Sequence, residues 1–219
     1  MYRILLKALT FFSRVNRQTD LPSSVDCLSF NDRLYQQLFS AKFFNDPIKT
    51  LEFALTQSES TGVGLEFGVY SGRTLKVITS KYPGRTFGFD SFDGLPEYWR
   101  DGFPEGTFKL KEIPEIEDAI IVDGLFQDTL MPFLKELSDT ISFIHLDADL
   151  YSSTKFVLRS LNDLIKPGCV ILFDEFMNYP GFEKHEYLAF SEWCTEFSRE
   201  CLPIAFTDWH EQMAFKVVE

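Results

Sequence analysis

Two hydrophobic rhythms divide this chain. Short, mostly apolar runs at 63–67, 119–122, 141–146 and 169–173 have the length of strands buried on both faces, and 86–89 is a shorter strand candidate. Between the runs, apolar positions recur at three and four residues, the period of an amphipathic helix. The segment 141–176, ISFIHLDADLYSSTKFVLRSLNDLIKPGCVILFDEF, carries both rhythms. Its first run is a strand, and Ser152, Ser153 and Thr154 then offer capping oxygens. Thr154, Val157, Leu158, Leu161, Leu164 and Ile165 follow with helical spacing until Pro167 and Gly168 stop the run, and 169–173 is a second strand. This is a βαβ unit. Its right-handed crossover returns the chain parallel, so both strands open their carboxyl ends onto one edge of the sheet.

The same rules order the rest. An apolar stretch over 1–15 is broken by Lys7 and followed by Arg14, which predicts an amphipathic helix, not a signal peptide or a spanning helix. Residues 17–32 are polar and turn-rich, a linker. Asp46 and Pro47 open a helix with Ile48, Leu51, Ala54 and Leu55 on one face. Residues 1–60 thus read as an N-terminal helical extension packed on a core of 61–219. Past the strand at 119–122, Asp128 or Thr129 caps a helix bearing Leu130, Phe133, Leu134 and Leu137. Residues 203–207 and 213–218 form a hairpin that supplies an antiparallel edge to a mostly parallel, doubly wound α/β sheet.

Composition narrows the partners. The 219 residues are 45% hydrophobic and 16% aromatic, ample for a packed core. A formal net charge of -12 argues against nucleic acid or an anionic membrane as a partner, since phosphate binding needs clustered Lys and Arg. Cys27, Cys169, Cys194 and Cys201 have neither CxxC nor zinc spacing, which predicts free buried thiols in a reducing compartment, the cytoplasm.

Chemistry concentrates at the strand ends. Asp147 and Asp149 end one strand and Asp174 and Glu175 the other; neighbouring strands put them ~5 Å apart. Carboxylates so close raise one another's pKa unless a cation lies among them, and an all-oxygen set favours Mg²⁺, Ca²⁺ or Mn²⁺. The competing reading is a set of helix caps facing solvent. His145 shares Asp147's strand face and reads as a packed core histidine, outside the site. Earlier, Glu66-x-Gly68-x-x-x-Gly72 joins a strand to a helix over 73–81, a turn through which backbone can approach a ligand. It lacks the GxGxxG spacing, and Glu66 would repel a pyrophosphate, which disfavours a nicotinamide dehydrogenase. Asp90 ends the next strand, where an acid grips ribose hydroxyls in doubly wound folds. A ribose-bearing ligand with a positive end fits these features, and S-adenosylmethionine is one.

The stretches GLEFGVYSGRT, FGFDSFDGLPE, VDGLFQDTL, FIHLDADLYSSTKFVL, KPGCVILFDEF and QMAFKVV occur in an order that resembles the macrocin O-methyltransferase family over 62–218. The resemblance implies a class I methyltransferase, Rossmann-like, with a seven-stranded sheet. It implies S-adenosylmethionine at Glu66, Gly68, Tyr70, Ser71, Gly72, Asp90, Ser91, Gly124 and Phe126. Asp147, Asp174 and Glu175 match the family's metal ligands, with Mg²⁺ or another hard divalent cation expected, and Asp149 matches its proposed general base. Similar members show two adjacent aspartates where Asp174 and Glu175 stand, so the longer glutamate bears on metal preference.

The implied reaction is metal-assisted methylation of one hydroxyl of a vicinal diol on a small-molecule acceptor, a glycoside, as in natural product biosynthesis. A homodimer is one assembly compatible with it. Two alternatives stay open: a catechol-type metal-dependent O-methyltransferase, and a non-catalytic homologue that only binds S-adenosylmethionine. Tyr98, Trp99, Phe103 and Phe108 form either an aromatic lid or core packing under a loop, and Lys184 and His185 either touch substrate or lie on ordinary helix surface.

Overall fold

A computed structural model describes residue 38 and residues 40–59 and 61–219. The helix expected over 1–15, the linker over 17–32 and Cys27 lie outside the described residues. Elements follow in the order β1 (Lys42–Phe44), α1 (Pro47–Gln57), β2 (Val63–Phe67), α2 (Arg73–Lys81), β3 (Thr86–Asp90), β4 (Ala119–Asp123), α3 (Phe126–Glu136), β5 (Ile141–Leu146), α4 (Tyr151–Leu161), β6 (Ile165–Phe173), α5 (Glu186–Glu196), β7 (Cys201–Thr207) and β8 (Met213–Val217). A 3-10 turn, Phe182–Lys184, precedes α5.

The strands form one eight-stranded sheet in the order β1-β7-β8-β6-β5-β2-β3-β4, in which only β8 runs antiparallel to its neighbours. The order reverses between β2 and β5, and a doubly wound sheet opens its ligand crevice at such a switch point. The hairpin of β7 and β8 extends the sheet as expected. An eighth strand, β1, pairs parallel with β7 outside it. Its three residues, Lys-Phe-Phe, are too few to show a period.

Side-chain alternation sorts the core into two layers. Along β6, Val170 and Leu172 pack with Leu51, Ala54 and Leu55 of α1 and Ile78 of α2. Ile171 and Phe173 face the other way, toward Leu130, Val157, Leu158, Phe190 and Trp193 of α3, α4 and α5. Asp46 caps α1 by accepting a 2.9 Å hydrogen bond from Ile48 N, and Pro47 follows at the position where a missing N–H costs nothing. Truncating fully buried Leu51 to Ala would cost about 2–5 kcal/mol.

Three local expectations are corrected. The helix after β5 ends at Leu161, and Ile165 pairs with Ile141 in β6, so Leu164 and Ile165 are not helical. The strand therefore contains Pro167 and Gly168, where the β5–β6 register shifts between Ile141 and Phe143 and the missing N–H is tolerated. Helix α4 has Leu150 as its N-cap without a side-chain bond, and the helix after β4 starts at Phe126 with Leu125 as cap, so Ser152, Ser153, Thr154, Asp128 and Thr129 sit inside first turns.

Candidate active site

The carboxyl ends of β2, β3, β4, β5 and β6 surround one cleft of about 920 Å³, its open mouth included. Backbone bonds that continue past the strand ends aim its loops inward: Gly68 N donates to Phe89 O at 2.9 Å, Gly124 N to Asp90 O at 3.0 Å, Asp147 N to Phe67 O at 2.9 Å and Asp174 N to Leu146 O at 2.8 Å. Gly68 has φ +93°, and a Cβ there would lie 1.8 Å from Asp147 O, so the two loops touch backbone to backbone.

Of the residues expected to hold a cofactor, Gly68, Tyr70, Asp90, Ser91, Gly124 and Phe126 line the cleft, joined by Leu125, Gln127 and Phe108. Glu66, Ser71 and Gly72 do not. Ser71 is exposed, and Gly72, at φ +74°, is the N-cap of α2. Glu66 is fully buried behind the glycine loop, where its Oε1 lies 2.8 Å from His145 Nδ1, so it faces a histidine and not a cationic ligand. Asp90 is a hub. Its Oδ2 accepts from Val69 N at 2.9 Å and Tyr70 N at 2.8 Å, and its Oδ1 accepts from Phe92 N at 2.8 Å. One carboxylate thus fastens the loops after β2 and β3 while facing the cleft.

The acids gather at the other end. Asp147, Asp149 and Glu175 line the cleft, with one carboxylate oxygen from each within 4.8 Å of the others. His145, Asp147 and Asp174 make a second such group, sharing Asp147. Burial and then the neighbouring Asp174 raise the pKa of Asp147 well above the usual carboxylate range, and the same two causes act on Glu175. Asp149 is pushed up to about 8 by burial first and by Asp174 second, against the pull of Arg100. It adopts φ +58°, a left-handed conformation an aspartate tolerates better than most residues. Asp174 moves the other way: burial would raise it, but the neighbouring His145 and a hydrogen bond from Gln212 lower its pKa.

Two residues belong to this group that sequence reasoning left out. His145 is fully buried between Glu66 and Asp174; burial opposes its charge, yet those two carboxylates raise its pKa well above 6.5. Its place two residues before Asp147 was the available signal. Glu186, in the first turn of α5, is fully buried, and its Oε2 accepts from Glu175 N at 3.2 Å. An acid opening a helix looks ordinary in sequence, so no signal singled it out.

Over the acidic end, Arg100 stacks on Trp99 at 3.9 Å and on Tyr179 at 4.3 Å and pairs with Glu211 at 3.0 Å. It ties together the segments 91–118, 174–185 and 208–212. Trp99 is buried against Phe103, Tyr179 and His185, so it packs as core under a loop, whereas Tyr98 is exposed and Phe108 meets Tyr70 edge-on at the cleft. Lys184 is exposed and His185 half-buried. Cys169 and Cys194 are buried and Cys201 is half-buried, and among the described residues none of the three forms a disulfide. Among the described residues, no helix is long and apolar enough to cross a membrane.

Several known proteins share this fold. The chain covers 93% of itself and 90% of CalS11, a calicheamicin methyltransferase, at TM-score 0.61 and 21% identity. With the O-methyltransferase NovP it shares 78% of itself and 79% of that chain at TM-score 0.57 and 18% identity. An O-methyltransferase from Bacillus cereus, solved in complex with SAH, is covered over 100% of its length and 97% of this one, at TM-score 0.51 and 15% identity. Those identities carry the fold alone. No curated protein matches in sequence. Residues 65–176, more than half of the chain, match the family model described as Methyltransferase domain, and that span holds the glycine loop, Asp90 and all four acids at the strand ends. The chain therefore belongs to the methyltransferase-domain family and is an S-adenosylmethionine-dependent methyltransferase on a class I fold.

Proposed function

We propose that this enzyme is a divalent-metal-dependent O-methyltransferase of the macrocin O-methyltransferase kind, methylating one hydroxyl of a vicinal diol on a glycoside-like small molecule. The observation that carries the reading is the adjacency of the two halves of the cleft. A loop-bound carboxylate, Asp90, stands at one end, and Asp147, Asp149 and Glu175 converge at the other with pKa values pushed upward by burial and by the neighbouring Asp174. CalS11 is described as a TDP-rhamnose 3'-O-methyltransferase, which makes a sugar diol the first acceptor to try.

When bound, S-adenosylmethionine supplies an electrophilic methyl on a sulfonium. Asp90 would hold the ribose hydroxyls while keeping the glycine loop in place. Gly124, Leu125 and Phe126 would border the adenine, and Gly68 and Tyr70 would present backbone to the amino-acid end. A divalent ion fits these acids, since Asp147 lies in one close group with Asp174 and in another with Glu175, and Glu175 Oε2 is buried without a hydrogen-bond partner. Held there, the ion would supply Lewis acidity that lowers the pKa of an acceptor hydroxyl. Asp149, at the cleft edge, would take the proton from that hydroxyl as general base. Arg100 and the aromatics around it would close the acceptor side against water, which favours the charge-dispersing transfer.

The test is methyl transfer to a deoxysugar nucleotide diol and to a catechol in parallel, with Mg²⁺ present and the products read by mass. Turnover of the sugar above the catechol supports the proposal. Preference for the catechol assigns the flat aromatic diol instead, and S-adenosylmethionine binding with no turnover of any diol refutes O-methylation.

A further inference from the structure

The two acid groups at the strand ends are not equivalent, because one of them contains a nitrogen. His145 is fully buried and presents two ring nitrogens to two carboxylates on opposite sides. Nδ1 lies 2.8 Å from Glu66 Oε1. That contact occupies Nδ1, so Nε2 is the ring nitrogen left to face the strand-end carboxylates. Nε2 has no hydrogen-bond partner: Asp174 Oδ1, its nearest carboxylate oxygen, stands 3.5 Å away. That separation is too long for a hydrogen bond, yet one ring nitrogen of His145 and one carboxylate oxygen each from Asp147 and Asp174 lie within 4.8 Å of one another.

A fully buried, unpartnered ring nitrogen beside strand-end carboxylates, with the other ring nitrogen held by a further carboxylate, is the arrangement in which a carboxylate orients a metal-bound histidine. We infer that His145 Nε2 is a nitrogen ligand of the divalent ion, beside Asp147 and Asp174, with Glu66 the outer residue that fixes its tautomer. The inference rests on the metal reading above and changes its chemistry. An all-oxygen set suits Mg²⁺, whereas an imidazole shifts preference toward first-row transition ions, Mn²⁺ and Co²⁺ among them. Glu66 thereby acquires a role that its burial away from the cleft left unexplained. It sits on the strand that feeds the glycine loop but serves the metal end of the site.

Electron spin-echo modulation of the Mn²⁺-loaded full-length protein tests this directly, because a nitrogen bound to the ion modulates the echo and a carboxylate does not. The expected result is ¹⁴N modulation in the wild type and its loss in His145→Gln. Competition calorimetry should show Glu66→Gln weakening Mn²⁺ by about 10- to 100-fold, the usual loss for an outer partner of a metal-bound histidine, with a smaller loss for Mg²⁺. Mn²⁺ bound without nitrogen modulation overturns the inference and leaves the carboxylate site standing. Equal losses of Mn²⁺ and Mg²⁺ in Glu66→Gln also overturn it, since they mark a merely structural pair. Binding of neither ion overturns the metal reading itself. The wild-type spectrum decides the ligand question even if His145→Gln fails to fold.

Discussion

Replacing Asp90 by alanine removes a single carboxylate and unfastens two loops. Three backbone N–H groups donate to it, from Val69 at 2.9 Å, Tyr70 at 2.8 Å and Phe92 at 2.8 Å. A hydrogen bond to a charged group contributes roughly 1.5–3 kcal/mol, but Asp90 borders an open cleft, so water can replace much of what is lost. A net loss of about 1–3 kcal/mol of stability follows, together with a looser turn at Tyr70, whose φ of +45° that carboxylate helps to hold. The same side chain is proposed to hold the ribose hydroxyls, so S-adenosylmethionine should bind roughly tenfold more weakly or worse. Asp90→Asn keeps one acceptor oxygen and should fall between the two. Thermal unfolding reads the first effect and titration calorimetry the second. Lowered Tm with unchanged affinity would refute the ribose contact and leave Asp90 a loop fastener, and no change in either would refute both roles.

Asp149→Asn should keep metal and S-adenosylmethionine binding but lose about 10²- to 10⁴-fold in kcat, whereas Asp147→Asn, which is common to both acid groups, should lose the metal; calorimetry and kinetics showing one shared phenotype would contradict these roles. In metal-free protein the folded state keeps protons on Asp149, Asp147 and Glu175 that the unfolded chain sheds near pH 4. Stability must therefore fall as pH rises, by about 1.4 kcal/mol per pH unit for each retained proton, up to the folded pKa of about 8 for Asp149. Unfolding scans in chelator should show this decline above about pH 5 and divalent ion should flatten it; a rise of Tm with pH in chelator would contradict the burial of these acids. Gly68→Ala should be poorly folded, because its Cβ would lie 1.8 Å from Asp147 O at a φ of +93°; a soluble variant with wild-type Tm would refute the backbone contact.

The parts of this fold that were legible in sequence are those written by burial on both faces. The runs at 63–67 and 141–146 are buried at every position and read as strands for that reason. Asp46-Pro47 likewise announced α1. Of the site, the carboxylates were legible because adjacent parallel strands deliver their ends to one edge, a rule of chain geometry that needs no contact information. What stayed hidden depends on partners far away in the chain. Glu66 looked like a ligand-facing acid until its pairing with His145, 79 residues on, turned it inward. Glu186 and Gln212 reach Glu175 and Asp174 only through the packing of α5 and the turn before β8. The strand β1 and the end of α4 were missed for a local reason. Three residues carry no period, and Leu164 and Ile165 prolong the helical spacing although β6 begins at Ile165.

The central claim, methyl transfer to an oxygen with a metal held by strand-end carboxylates, is tested most directly by one titration. Protein stripped of metal is given S-adenosylmethionine and a sugar diol, and methylated product is followed as Mg²⁺ or Mn²⁺ is added back. The account predicts no product before addition and turnover that saturates as the ion fills its site. Undiminished turnover in the stripped enzyme would contradict it and make the acidic cluster a structural feature of the fold.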